Sequence, residues 1–196
     1  MKKTFLLIAI CTMLACLTGC GTKTPAVAAD GTPWSKDWIR LGPTLGVEEP
    51  GHGLTLRDEK SARNMFYTAW SIGEAQTYVN SSGQETNRYD AQLVLLVSSF
   101  DSTEDAQDSV DELLDLAGEN YAVMDTSRQT YNGQEFTVLT YTFPSDASPY
   151  ARGVSAFAAF DTWVISAELA CQEPFEEDAQ EILADFLNHC HYAAEE

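Results

Sequence analysis

The chain has 196 residues with 30 acidic and 11 basic side chains, a formal net charge of −19. Nucleic-acid binding, which neutralises phosphates with clustered Lys and Arg, is excluded by that balance, and so is electrostatic docking on anionic lipid. A charged surface that keeps the body soluble explains the excess of acid; a cationic partner or a divalent ion is the alternative.

The chain opens MKKTFLLIAICTMLACLTGC. Lys2 and Lys3 precede an apolar run from Phe5 to Cys16, about a dozen residues, which suits a signal-peptide core and is too short to span a bilayer. Leu17-Thr18-Gly19-Cys20 follows and resembles the lipobox of bacterial lipoproteins. The resemblance implies cleavage before Cys20, a thioether-linked diacylglyceryl on its sulfur, and location at a membrane facing outside the cytoplasm. Two acyl chains give stable anchoring where one is marginal. With the leader removed, nine basic residues face thirty acidic ones, a net charge of −21. Residues 20–31 read as the lipidated Cys and a flexible tether with a typical span of ~18 Å, and residues 32–196 as one globular domain.

Thr32-Pro33-Trp34 has the pattern of a helix start, with Thr as N-cap and Pro in the first position. That helix would place Trp34 and Trp38 on one face. The Gly- and Pro-rich stretch from Leu41 to Gly53 reads as loop. Leu54–Asp58, Asn64–Ser71 and Ala75–Asn80 read as strands, the last continuing the same sheet. From Tyr89 to Phe100 the apolar residues do not alternate, so this segment reads as a central strand covered on both faces. Ser102-Thr103-Glu104-Asp105 resembles a capping box opening a helix that Gly118 ends; Ala106, Val110, Leu113, Leu114 and Ala117 form its apolar stripe.

Asn132-Gly133 marks a type I′ hairpin between strands 121–131 and 134–143. Asp161 sits in a second turn between strands 153–160 and 162–171. Pro174 starts a second helix whose stripe is Phe175, Ala179, Ile182, Leu183, Phe186 and Cys190, with Glu176, Glu177, Asp178, Glu181 and Asp185 outside. These elements give an α+β class: a mainly antiparallel sheet with two amphipathic helices packed on it. Cys171 would end a strand and Cys190 the following helix, about 24 Å apart for sixteen helical residues, beyond disulfide reach of about 7 Å. Both read as free core thiols.

Chemical motifs are sparse. There is no Gly-x-Ser-x-Gly elbow, phosphate loop or Cys-x-x-Cys. His52 lies between two glycines in a loop. His189 and His191 are the one metal-like pair, but at a helix end they face differently, so no metal or other cofactor is expected. Asp101, Thr103, Asp105 and Glu112 echo a calcium-loop spacing, yet Ala106 stands where that loop needs Gly. Trp34, Trp38, Trp70 and Tyr150 are the candidates for an aromatic binding surface.

The ending ARGVSAFAAF, DTWVISAELAC and EEDAQEILADFLNHC is a strand, turn, strand and helix unit. It resembles the closing unit of Mog1/PsbP-like α/β/α domains and small uncharacterised lipoproteins of Firmicutes. The resemblance implies an α/β/α sandwich and an accessory, non-catalytic binding or assembly role with a protein or small-molecule partner. The basic and metal-binding residues of PsbP-type proteins have no counterpart here, so no site is carried over. Two alternatives remain: a cell-envelope hydrolase with a carboxylate pair about 5 to 10 Å apart, and a solute-binding lipoprotein whose loops 42–53 and 144–152 close over a cavity. The native product should lack its first nineteen residues and enter the detergent phase of a cloud-point extraction. Cys20→Ser should keep its leader and gain no diacylglyceryl mass; wild-type protein in the aqueous phase would refute lipidation.

Overall fold

A computed structural model describes residues 28, 31–42, 45–80, 82–144 and 148–193; the leader, Cys20 and the tether as far as residue 27 lie outside them. In chain order the elements are β1 (Ile39–Leu41), β2 (Leu45–Val47), β3 (Thr55–Ala62), β4 (Met65–Ile72), β5 (Gln76–Val79), β6 (Glu85–Arg88), β7 (Ala91–Ser99), α1 (Thr103–Asn120), β8 (Ala122–Tyr131), β9 (Gln134–Thr142), β10 (Arg152–Phe160), β11 (Trp163–Cys171), α2 (Ala179–Asn188) and β12 (Cys190–Tyr192). Seven strands make one wholly antiparallel sheet in the order β3-β4-β7-β11-β10-β9-β8. The two helices pack on opposite faces of it, so the chain is an α+β fold.

Alternation along each strand sorts the core into two halves. On one face, Leu93, Leu95, Val97, Ile165, Leu169 and Phe136 pack against Ile182, Leu183, Phe186 and Leu187 of α2. Trp70 meets Phe186 edge-on with ring centres 5.7 Å apart. The same face is closed by a small sheet, β1-β2-β12, through Leu41, Leu45 and Val47. On the other face α1 lies over β8, β10 and β11, burying Ala106, Val110 and Ala117 against Leu139, Tyr141, Phe157 and Val164.

Local chemistry explains the joints. The Asp105 amide donates to Ser102 Oγ (3.1 Å), which caps α1, while the Ser102 hydroxyl donates to Asp105 Oδ2 (2.7 Å). Asp178 caps α2 by accepting from the amides of Gln180 and Glu181. Asn132 and Gly133 both have positive φ (45° and 82°), as a type I′ turn requires. Asn132 also ties this hairpin to the end of α2: its Nδ2 donates to the Cys190 carbonyl (2.6 Å) and its amide to Asn188 Oδ1 (3.0 Å).

Several expectations are corrected. No helix forms at Thr32-Pro33-Trp34; residues 36–38 make a turn into β1. The 41–53 loop contains β2, and β5 pairs only with β6 in a separate two-stranded hairpin instead of extending the large sheet. Gly118 does not stop α1, which continues to Asn120 and is capped when the Tyr121 amide donates to the Ala117 carbonyl. The second helix begins at Ala179, not Pro174, and Cys190 has left it to enter β12. Both cysteines are nonetheless buried free thiols. The folded body also reaches back before residue 32: Ala28 is 2% exposed and bridges to Ala193.

Phe186 is fully buried where α2 meets the sheet. Phe186→Ala should cost about 3–5 kcal/mol of unfolding free energy, measured by urea denaturation.

Candidate functional site

The helix-bearing faces are unequal. On the α2 face, β7 buries Ala91, Leu93, Leu95 and Val97, but its other face leaves Gln92, Val94, Leu96 and Ser98 half-buried. The strand is central, as expected, but its cover is unequal: Val94 and Leu96 keep partial exposure on the face that carries α1. On the neighbouring strand Tyr67 is half-buried as well.

Register assembles this surface from distant parts of the chain. One cross-strand row runs Asp58, Ala69, Val94, Glu168, Ser155, Leu139, and the next runs Lys60, Tyr67, Leu96, Ser166, Phe157, Thr137. Glu168 is thus set between Val94 and Ser155 in the middle of the sheet. Ser155 Oγ donates to Glu168 Oε2 at 3.4 Å and lies 3.0 Å from the Tyr141 hydroxyl. Tyr141 reaches Ser155 because Gly153 has no side chain; a Cβ there would meet Tyr141 Cζ at 2.6 Å. Tyr141 is stacked under Tyr121, ring centres 4.3 Å apart, and Phe143 closes edge-on against both.

This environment sets the charge. Desolvation holds the Glu168 carboxyl above its ordinary range, while hydrogen bonds from Tyr141 and Ser155 pull the other way. Burial, reinforced by the Glu168 charge, pushes the Tyr121 and Tyr141 phenols upward. Tyr150, buried and donating its hydroxyl to Gln92 Oε1 (3.1 Å), is raised to about 12, chiefly by burial.

The border is acidic on one side. An open hollow of about 470 Å³ between α1 and the end of β7 is lined by Asn64, Ser99, Phe100, Asp101, Asp105, Asp108, Ser109 and Glu112. The calcium-like residues Asp101, Asp105 and Glu112 are therefore neighbours, but among the described residues no group of three or more His, Cys, Asp or Glu is arranged to hold a metal ion.

The sequence-derived candidates are scattered. Trp34 and Trp38 meet edge-on at 5.4 Å. Trp70 is 3% exposed in the α2 core and Tyr150 is 8% exposed near Gln92, so the four aromatics do not form one platform. His189 Nδ1 is 2.7 Å from the Asp185 carbonyl, whereas His191 Nε2 faces Glu48 Oε2 at 3.2 Å and its ring stacks on Trp38. The two imidazoles thus serve different neighbours. His52, with φ of 56°, is wedged between Glu177 (3.5 Å) and Asp185 (3.7 Å). Within the row, Asp58 stands three strand spacings from Glu168, about 14 Å, wider than the carboxylate window of a glycosidase-type pair. His52 reaches Asp185 of α2, whereas Tyr150 reaches Gln92 of β7.

No family model and no curated protein matches the chain. Among solved structures it is similar to the solution structure of cyanobacterial PsbP (CyanoP) from Synechocystis sp. PCC 6803, at 12% identity and a TM-score of 0.38, covering 74% of this chain and 97% of that one. At that score no residue role or function transfers.

Glu168 and its partners were missed in sequence because Glu168 occupies an ordinary outward position of an alternating strand. The available signal was a lone carboxylate in the otherwise uncharged run WVISAELAC. Above the ordinary glutamate range the unfolded chain releases this proton before the native state does, so native stability falls as pH rises toward the raised native value. Gln has no proton to lose. Thermal unfolding from pH 4 to pH 7 should show wild type losing stability relative to Glu168→Gln; parallel profiles would refute a proton-retaining Glu168.

Proposed function

We propose that the chain is a lipoprotein held at the outer face of a membrane through lipid on Cys20, and that its body is a non-catalytic binding or assembly module. The docking surface is the half of the α1 face formed by β4 and β7. One observation carries this reading: Val94, Leu96 and Tyr67 occupy adjacent register positions of β7 and β4 and each keeps part of its surface exposed, with Lys60 Nζ 5.3 Å from the centre of the Tyr67 ring. A row of partly exposed apolar side chains gives a partner a place to bury apolar area.

Charge selects the occupant. The strip is bordered by Asp105, Asp108 and Glu112 on α1 and carries Lys60 at its β3 side. A protein presenting an apolar ridge flanked by Lys or Arg fits both features, because apolar area supplies affinity and the complementary rim supplies orientation and rate. The sequence signature Leu17-Thr18-Gly19-Cys20 supports the anchor, and a short tether restricts the search for a partner to the membrane vicinity.

Proximity crosslinking on intact cells tests the reading. Wild type should capture a defined protein. Leu96→Asp, and separately the surface reversal Asp108→Lys with Glu112→Lys, should reduce that capture at least tenfold while thermal unfolding of the charge-reversed protein stays unchanged. Capture unaffected by both variants, capture only of a second copy, or no partner with wild type would each overturn it.

A further inference from the structure

We propose that the end of the body carrying Trp34 and Trp38 lies against the bilayer, its partner being the interfacial layer of a zwitterionic lipid surface. The proposal rests on the anchored reading above. Its first support is reach. Ala28 is fixed to the body opposite Ala193, and eight residue steps separate it from Cys20. Fully extended, those steps cover at most about 28 Å, less than the roughly 40 Å diameter expected for a folded body of this length. The anchor therefore holds one particular end of the molecule near the lipid.

The second support is what that end displays. His191 is two residues before Ala193, about 7 Å along the strand. Trp38 lies flat on its ring, centres 4.0 Å apart and planes 3° apart, and Trp34 meets Trp38 edge-on. Both indoles lean on Gly46, where a Cβ would stand 2.9 Å from Trp34 and 3.0 Å from Trp38. Each keeps part of its surface exposed, unlike Trp70, which is 3% exposed in the core. Trp is the side chain that most favours the boundary between headgroups and acyl chains, having a large apolar ring and one N–H for a polar neighbour.

Charge does not drive this contact: Lys36 and Arg40 share this part of the sequence with Asp30, Asp37, Glu48 and Glu49, and Glu195 and Glu196 follow Ala193, so the surface that suits the Trp pair is zwitterionic rather than anionic.

Lipidated full-length protein in phosphatidylcholine vesicles, with acyl chains brominated near the headgroup, tests this by quenching of Trp fluorescence. Wild type should be quenched. Trp34→Phe with Trp38→Phe, which leaves Trp70 and Trp163 as reporters, should lose at least half of the fractional quenching with thermal unfolding little changed. Cys20→Ser made without residues 1–19 should not be quenched. Protein shown by mass to carry the diacylglyceryl group but unquenched, or quenched equally in the double variant, overturns the inference and leaves the anchored reading intact. A mass lacking the lipid overturns both.

Discussion

A sheet of seven strands is about 29 Å wide, since neighbours are spaced about 4.8 Å apart, whereas a helix with its side chains is about 10–12 Å across. One helix therefore shields little more than two strands. On the α2 face this fold meets the mismatch with several pieces: the helix, the small sheet β1-β2-β12 and the loop carrying His52. On the other face it has α1 over β8, β10 and β11. β7 and β4 lie at the margin of that cover, which leaves Val94, Leu96 and Tyr67 partly exposed. Polar residues would have served a permanently wet surface at lower cost in solubility.

Glu168 gains its character from the same sheet. In a fully antiparallel arrangement the register of each strand against the next decides which side chains share a row, and here one row sets a carboxyl between Val94 and Ser155. The missing side chain at Gly153 lets the Tyr141 ring lie across the neighbouring row and bring its hydroxyl to Ser155. Desolvation and two hydroxyl donors thus act in opposition on one carboxyl, and desolvation dominates.

Much of this architecture was readable from local signals. Asn132-Gly133 fixed one hairpin through positive φ, and the apolar stripes located both helices against a sheet. Other features were hidden because they depend on partners far away in the chain. β1, β2 and β12 are three residues each, and Leu45-Gly46-Val47 lies among glycines and prolines that suggest loop; only pairing with the C-terminal Cys190-His191-Tyr192 makes it a strand. Trp34 follows Thr-Pro, a pattern shared by helix starts and turns, and tertiary packing on Gly46 decided between them. The run Leu93 to Val97 announces burial but cannot say which layer supplies it. The same blindness concealed Glu168, whose neighbours come from β7, β9 and β10 and are named by register alone.

Cys171 and Cys190 are fully buried on the α2 side of the sheet. Burial pushes the Cys171 thiol up to about 11 and raises Cys190 further, with its Sγ donating to the Phe186 carbonyl at 3.5 Å. Since thiolate is the form that attacks disulfides and oxidants, both sulfurs are chemically insulated once α2 has docked. Among the described residues no covalent crosslink holds this domain, and access to either sulfur closes with the hydrophobic core.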